Sequence, residues 1–438
     1  MKKSLYTYLF DHNDTYYLYN SLTGFLGTIS GPMYEALYNN DLEALTKDEL
    51  ELLKDKGIVV ENDHIYDYYY TSRFEYLSSI GQDEILNLVI APTTGCNFAC
   101  PYCFEGEKED KKMTLEVIKD LIVFINSFQK SKKLQITWYG GEPLTAFDIM
   151  TEINSRIKKE CKVPITSQSL ITNGYLIDDK LITFMKSNQF KDMQITFDGA
   201  EESHNKTRCL KGNKQPTFDR IMSKMDMVIA EMPLDFSLSV RINVNKDNEM
   251  DFITMYKLLK AKYPLKKNLH VYPGFIREPN KDNSMMCYKS LFGKKRYEFY
   301  KRIKEYGLIV DFYPKRVPKG CMTCQNESLV IGPMGEIYKC WNDFNHSDKI
   351  VGYIKDKRIT NPSLISQYTY ETTIFSDPKC KECKIFPICD GGCSWYRYQN
   401  VIEGKNYNLC TFLSDNSILE ECLLAEVVGK DKKAVKAR

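Results

Sequence analysis

The chain has 438 residues, long enough for two or three domains with separate cores, and its 60 Lys+Arg nearly balance 58 Asp+Glu. That balance excludes a global pull toward nucleic acid or anionic membrane. The first residues lack the apolar core of a secretory signal and no stretch approaches membrane-span length, so a cytoplasmic protein with no membrane partner is expected.

Residues 1–80 read as a small separate unit. Tyr8-Leu9-Phe10 and Tyr16-Tyr17-Leu18-Tyr19 are short strands around a polar turn at Asp11–Asp14. A helix around Tyr34–Tyr38 follows Gly31-Pro32, and Thr46 with Glu49 three residues on caps a second helix over Lys47–Lys56. Gly57 ends it, and Ile58-Val59-Val60 starts another strand. Strand pair, helices and a closing strand predict a winged-helix-like domain; a plain N-terminal brace is the alternative.

From residue 85 to 307 strand and helix patterns alternate. Strands are predicted at Ile85–Ala91, Leu134–Trp138, Ser167–Ile171, Met193–Phe197, Phe236–Val244 and Leu269–Tyr272. Helices are predicted at Thr114–Phe128, Asp148–Cys161, Asp178–Ser187, Phe218–Glu231, Asp251–Lys262 and Leu291–Tyr306. Six βα units imply an α/β domain with a parallel sheet, a partial (β/α)6 TIM-like barrel whose working residues sit at the C-terminal strand ends. The last residues, 426–438, include Lys430, Lys432, Lys433, Lys436 and Arg438 and read as a solvated basic tail.

The 15 cysteines carry the chemistry. In a reducing compartment they are metal or cluster ligands sooner than disulfides, and five histidines leave little for a His-rich zinc site. Cys96, Cys100 and Cys103 form a CxxxCxxC triplet in the first βα loop. A four-iron cluster normally takes four thiolates, so three leave one iron for another ligand. Trp138-Tyr139-Gly140-Gly141-Glu142-Pro143 follows the second strand; its glycines let the backbone approach a ligand and Glu142 offers a carboxylate. Thr172-Asn173-Gly174 and Thr196-Phe197-Asp198-Gly199 close the third and fourth strands, and alternation puts Arg241, Asn243 and Asn245 on one face of the fifth. Such polar residues in a buried sheet need partners, from a ligand or from the protein. Cys161, Cys209, Cys287 and Cys422 stand apart and read as idle or buried thiols.

These residues resemble the radical S-adenosylmethionine (SAM) enzymes. The resemblance implies that the open iron at Cys96, Cys100 and Cys103 binds SAM, and that Tyr102 and Phe104 contact its adenosyl part. It further implies that Gly140, Gly141, Glu142 and Pro143 receive its ammonium, and that Thr196 lies near its carboxylate, with Arg241 and Asn243 beside it. His204 and Arg208 recur in relatives without an assignable role.

A second cysteine group, Cys321, Cys324, Cys340, Cys380, Cys383, Cys389, Cys393 and Cys410, spans about 310–425. Gly335 to Cys340 has the GxxxxC spacing, and eight thiols alternatively suit two zinc sites. The pattern resembles the SPASM module with two auxiliary four-iron clusters. By that resemblance Cys380, Cys383, Cys389 and Cys410 hold the distal cluster, and Cys321, Cys324, Cys340 and Cys393 the nearer one. It implies SAM and three [4Fe-4S] clusters, an electron donor such as flavodoxin or ferredoxin, and a precursor peptide with a leader sequence. The expected activity resembles that of maturases of ribosomally made peptides: an intrapeptide crosslink, thioether first and carbon–carbon second. The alternative is a sulfatase-maturing, formylglycine-forming enzyme; those carry an aspartate directly after the GxxxxC cysteine, where this chain has Trp341, with Asp343 nearby. A non-catalytic electron-transfer or peptide-carrier protein is the reading from a different class. It leaves the open-iron triplet and the GGEP turn without a purpose.

Overall fold

The computed structural model describes all residues except 83, 104–108, 246–247, 277–292, 309–311 and 437–438, with backbone only at 63, 358 and 428–436. Phe104 and Cys287 therefore lie outside the described residues, as do the side chains of the basic C-terminal end. Among the described residues no helix is long and apolar enough to cross a membrane.

The chain opens with β1 (Lys2–Lys3), β2 (Thr7–His12), β3 (Thr15–Asn20), β4 (Leu26–Ile29), α1 (Gly31–Asn39), α2 (Lys47–Asp55), β5 (Val59–Val60) and α3 (Asp67–Ile80). The expected hairpin is present, and His12 pairs with Thr15 across Asn13 and Asp14, both at positive φ. A two-residue hairpin turn demands that conformation, and Asn and Asp tolerate it. The capping box is also formed: Thr46 Oγ1 accepts from Glu49 N while the Glu49 carboxylate accepts from Thr46 N at 2.9 Å. β4 and α3 add to the sequence-based reading.

Next come β6 (Ile85–Ile90), α4 (Leu115–Ser127), β7 (Lys133–Trp138), α5 (Phe147–Glu160), β8 (Ile165–Thr172), α6 (Asp179–Lys186), β9 (Phe190–Phe197), α7 (Glu201–Thr207), α8 (Phe218–Glu231), β10 (Ser237–Val244), α9 (Glu249–Lys262), β11 (Leu269–Phe275) and α10 (Lys294–Glu305). The remainder holds β12 (Ser328–Ile331), β13 (Glu336–Tyr338), β14 (Gly352–Tyr353), β15 (Arg358–Ile359), α11 (Pro362–Ser366), α12 (Pro378–Lys381), α13 (Ser394–Val401) and α14 (Asn416–Lys436). The expected tail is thus the end of a helix; Leu419, Cys422 and Leu423 supply its buried stripe.

Two compact units emerge, along lines that differ from the sequence-based boundaries. One comprises 1–81, 292–324 and 367–438; the other 82–291 and 325–366. In the first, residues 1–81 do not stand apart. Tyr8, Phe10 and Tyr19 share a core with Tyr297, Ile385, Ile388, Leu419 and Leu423. Tyr6 and Tyr69 share another with Ile374 and Phe386, against which Cys380, Cys383 and Cys389 pack. Only the opposite face of the hairpin, around Leu18, packs on α1 and α2 through Met33, Leu37 and Leu53.

The second unit is built on a ten-stranded sheet in the order β11-β10-β9-β8-β7-β6-β12-β13-β14-β15. The six strands from β6 to β11 are all parallel and sequential neighbours. The two ends of that run do not pair with each other, so the six βα units form an open sheet, the partial barrel expected. β12 adds in parallel on β6, and β13 to β15 continue antiparallel. One face of the parallel strands is a buried apolar row, Leu86, Leu88 and Ile90 in β6, Leu134, Ile136 and Trp138 in β7 and Leu238, Val240, Ile242 and Val244 in β10, while the other face carries polar residues such as Gln135, Arg241 and Asn243.

Candidate functional site

Because β6 to β10 are parallel, everything that directly follows them lies along one edge of the sheet. That edge carries the Cys96 loop, the Gly140-Gly141 turn, Thr172-Asn173, Asp198 and Asn245.

The Gly140-Gly141 turn is pressed onto the backbone that leads into Cys96. A Cβ on Gly140 would lie 2.4 Å from Thr93 O, and one on Gly141 2.3 Å from both Thr94 O and Gly95 O. Gly140 also has φ +124°. Gly141 N donates to Thr93 O at 3.2 Å and Glu142 N to Gly95 O at 2.8 Å. The close approach expected toward a ligand is thus made, first of all, to the cysteine loop itself.

Glu142 is 1 % exposed. Its carboxylate accepts from Leu144 N at 3.1 Å, Thr172 Oγ1 at 2.7 Å and Asn173 N at 2.7 Å. Burial pushes its pKa up, and these three donors pull it back. Pro143 opens the short 3-10 turn that Glu142 caps. Asn173 Nδ2 in turn donates to Asn97 Oδ1 at 2.7 Å, joining the end of β8 to the cysteine loop. A bridge between Phe98 and Leu210 and the bond from Lys211 N to Asn97 O, 2.8 Å, hold that loop from its other side.

Tyr102 sits between Pro101 and Cys103, its ring half-buried and its hydroxyl fully engaged. It donates to the Asp198 carboxylate, whose oxygens lie at 2.6 and 2.5 Å, and accepts from Arg208 Nη1 and Asn243 Nδ2, each at 3.2 Å. One donor and two acceptor sites are all a phenol has. Asp198 is 1 % exposed and also accepts from Asn243 Nδ2, 3.1 Å, and from Thr207 Oγ1. Burial raises the Asp198 pKa against the pull of Arg208, and burial next to Asp198 holds the Tyr102 phenol well above its usual range. Arg241 Nε donates to Asn243 Oδ1 at 2.9 Å and lies across Gly274. The protein itself therefore supplies partners for Asn243. Thr196 lies at the end of β9, 9 % exposed.

His204 and Arg208 gain a physical role here. His204 is fully buried; its Nδ1 accepts from Asp198 N at 3.3 Å, so its Nε2 carries the proton toward Thr217 Oγ1 at 3.0 Å. Burial, reinforced by Arg208, holds its pKa well below the usual histidine value. The network centred on Asp198 is the feature that strand-by-strand reading misses; its signal was the acidic residue directly after β9.

The donor set fits the group that the triplet implies. Cys96, Cys100 and Cys103 form no disulfide and lie half-buried on one loop. Among the described residues no three Cys, His, Asp or Glu gather as the ligands of a single metal ion. In a four-iron cluster each thiolate binds a different iron, so the thiols stand wider apart than around one ion. Two buried donors beside the loop, Asn97 Nδ2 and Arg208 Nε, have no partner among the described residues. Such donors suit an anionic ligand group such as a carboxylate.

In the first unit, Cys380, Cys383 and Cys389 pack against one aromatic cluster. Burial pushes Cys380 up to about 12 and raises Cys383 and Cys389, so a bound cation is what would keep them as thiolates. Gly392 lies against Leu409 O, beside Cys410. Cys324 N donates to Cys321 O at 3.0 Å, and the Cys321 thiol stabilises the Cys324 thiolate, which lowers the Cys324 pKa. Cys393 belongs to this unit, whereas Cys340 belongs to the other.

An open parallel α/β sheet with a three-thiol loop after its first strand defines a class, the radical SAM fold. Residues 90–259 match the radical SAM superfamily model, so the chain carries a radical SAM domain. It is 26 % identical over 362 residues to a cysteine-type anaerobic sulfatase-maturating enzyme of Clostridium novyi, covering 74 % of this chain and 92 % of that protein. It is 22 % identical over 419 residues to the radical SAM cyclopropyl synthase TigE of Paramaledivibacter caminithermalis, covering 86 % and 82 %. Among solved structures, anSMEcpe with bound AdoMet superimposes with a TM-score of 0.60 at 21 % identity, over 80 % of this chain and 95 % of that one. Streptococcus suis SuiB bound to S-adenosylmethionine does so with 0.50 at 15 % identity, over 94 % and 98 %. At these identities the structural likenesses define the fold.

Proposed function

We propose that the chain is a three-cluster radical SAM enzyme that modifies a ribosomally made peptide, forming an intrapeptide crosslink, thioether first and carbon–carbon second. The observation that carries the radical SAM part is the thiol loop clamped at the C-terminal sheet edge by the Gly140-Gly141 turn and by Asn173. Cys96, Cys100 and Cys103 would hold a four-iron cluster and Arg208, Asn97 and Glu142 would border SAM. When bound, these groups supply a reductively generated 5′-deoxyadenosyl radical that abstracts hydrogen from a substrate C–H. The residues of this chain position that pair and exclude water: Glu142 fixes the turn, Tyr102 and Asp198 fix the loop, and His204 stays neutral beneath them. The downstream cysteines would hold two auxiliary clusters that could accept the electron given up by the substrate radical, and a flavodoxin or ferredoxin would supply reducing equivalents.

A peptide substrate is supported by structural neighbours solved with peptides, SuiB with its precursor peptide SuiA and anSMEcpe with the Cp18Cys peptide. A second reading, formylglycine formation, is favoured by the 92 % coverage of the Clostridium novyi relative. It needs a base near Cys340. Trp341 occupies the next position, and Asp343 is 0 % exposed beside the aromatic group of Tyr139, Trp341 and Phe344.

Mass spectrometry of a cysteine-containing candidate peptide after anaerobic turnover separates the two. A crosslink removes a pair of hydrogens and retains sulfur; formylglycine formation from cysteine removes a pair of hydrogens and replaces sulfur with oxygen. Crosslink masses are expected, and loss of sulfur would overturn the first reading.

A further inference from the structure

Within the first unit, one cation is built into the loop that carries the distal cysteine set. Lys319 Nζ donates to Cys389 O at 2.6 Å, Phe386 O at 2.7 Å and Pro387 O at 3.2 Å, and Val317 O lies at 3.4 Å. It also stands 4.9 Å from the centroid of the Phe386 ring. Among the described residues no carboxylate forms an ion pair with Lys319; the exposed Asp390 carboxylate nearby accepts from Gly392 N at 2.9 Å. Other cations beside this set are committed elsewhere: Lys384, next to Cys383, donates to Asn416 Oδ1 at 2.8 Å and lies over the Tyr8 ring, and Arg397 is 5 % exposed. Its Nη1 pairs with Asp377 at 3.1 Å and its Nη2 donates to Gly391 O at 2.8 Å.

Three main-chain carbonyls of the loop that carries the cysteines hold the ammonium there. Four thiolates around a four-iron core leave a net negative charge, and reduction adds another. Burial lowers the Lys319 pKa to about 8, which leaves the ammonium the major form at pH 7, and a positive charge close by stabilises the reduced state more than the oxidised one. We propose that the Lys319 ammonium acts as a positioning residue that raises the reduction potential of the auxiliary cluster held by Cys380, Cys383, Cys389 and Cys410. This rests on the auxiliary-cluster reading of those cysteines.

The test uses the full chain carrying Cys96→Ala, Cys100→Ala and Cys103→Ala, so that only auxiliary clusters are present, reconstituted and titrated by redox-poised EPR. In that background Lys319→Gln keeps donors for the carbonyls but removes the charge, and Lys319→Arg keeps the charge. Lys319→Gln is expected to retain its iron and shift one cluster to lower potential by about tenfold in the reduction equilibrium, about 59 mV for a one-electron couple. Lys319→Arg is expected to stay near the parent. Equal potentials in parent and Lys319→Gln overturn the inference with the clusters in place. Loss of iron in Lys319→Gln overturns it in favour of a structural clamp. Absence of iron in the parent background would instead overturn the auxiliary-cluster reading and the inference with it.

Discussion

His204 has the buried, neutral imidazole whose ionisation should be visible in the stability of the whole fold. Its pKa is held well below 6.5 in the folded chain, chiefly by burial. Below about pH 6.5 the unfolded chain binds a proton that the folded chain refuses. Stability is therefore fully present above that pH and falls as the pH drops, by up to about 1.4 kcal/mol per pH unit. Urea unfolding of the cluster-free protein across this range should show that slope, and His204→Gln should lose it. An unchanged slope in the variant would mean that another group titrates. The residues around His204 explain what the sequence could not show. Asp198 follows a predicted strand, yet its partners Tyr102, Arg208 and Asn243 come from three other segments. Only folding brings them together. Glu142 was legible as a carboxylate at the right turn, but its three protein donors were not.

At the scale of elements, local signals carried most of the βα core. α4 and α6 start one residue after their predicted first residues, Thr114 and Asp178, which instead cap them, and all six strands fall where apolar runs predict them. The pairing of β12 with β6 was not legible, because it joins Ile331 to Ile90 across most of the chain. α3 escaped because its tyrosines face both the core and solvent, Tyr69 and Tyr76 buried and Tyr70 exposed, without a clean apolar stripe. The Gly140-Gly141 turn is the element on which the thiol loop depends most directly. Gly141→Ala forces a Cβ against two carbonyl oxygens and should destabilise the cluster-free protein by about 2–3 kcal/mol. Iron should fall from about twelve to about eight per chain as the Cys96 site empties. Undiminished iron and SAM binding in this variant would show that the turn does not hold the loop.

For the whole molecule, residues 1–81 build their core jointly with the cysteine-rich C-terminal segment. The sequence suggested a separable N-terminal domain because its strands and caps are locally complete. Its large aromatic side chains, however, are too many for so small a unit to bury alone. The chain thus carries a cysteine-bearing unit and a radical SAM domain, and the proposed function turns on whether the Cys96 loop generates radicals. That is measured by 5′-deoxyadenosine released from SAM under dithionite. The wild-type chain should release it, and the Cys96→Ala, Cys100→Ala, Cys103→Ala chain should release none while keeping the iron of its other sites. Release that is absent from the reconstituted wild type, or equal in the two chains, would contradict the account.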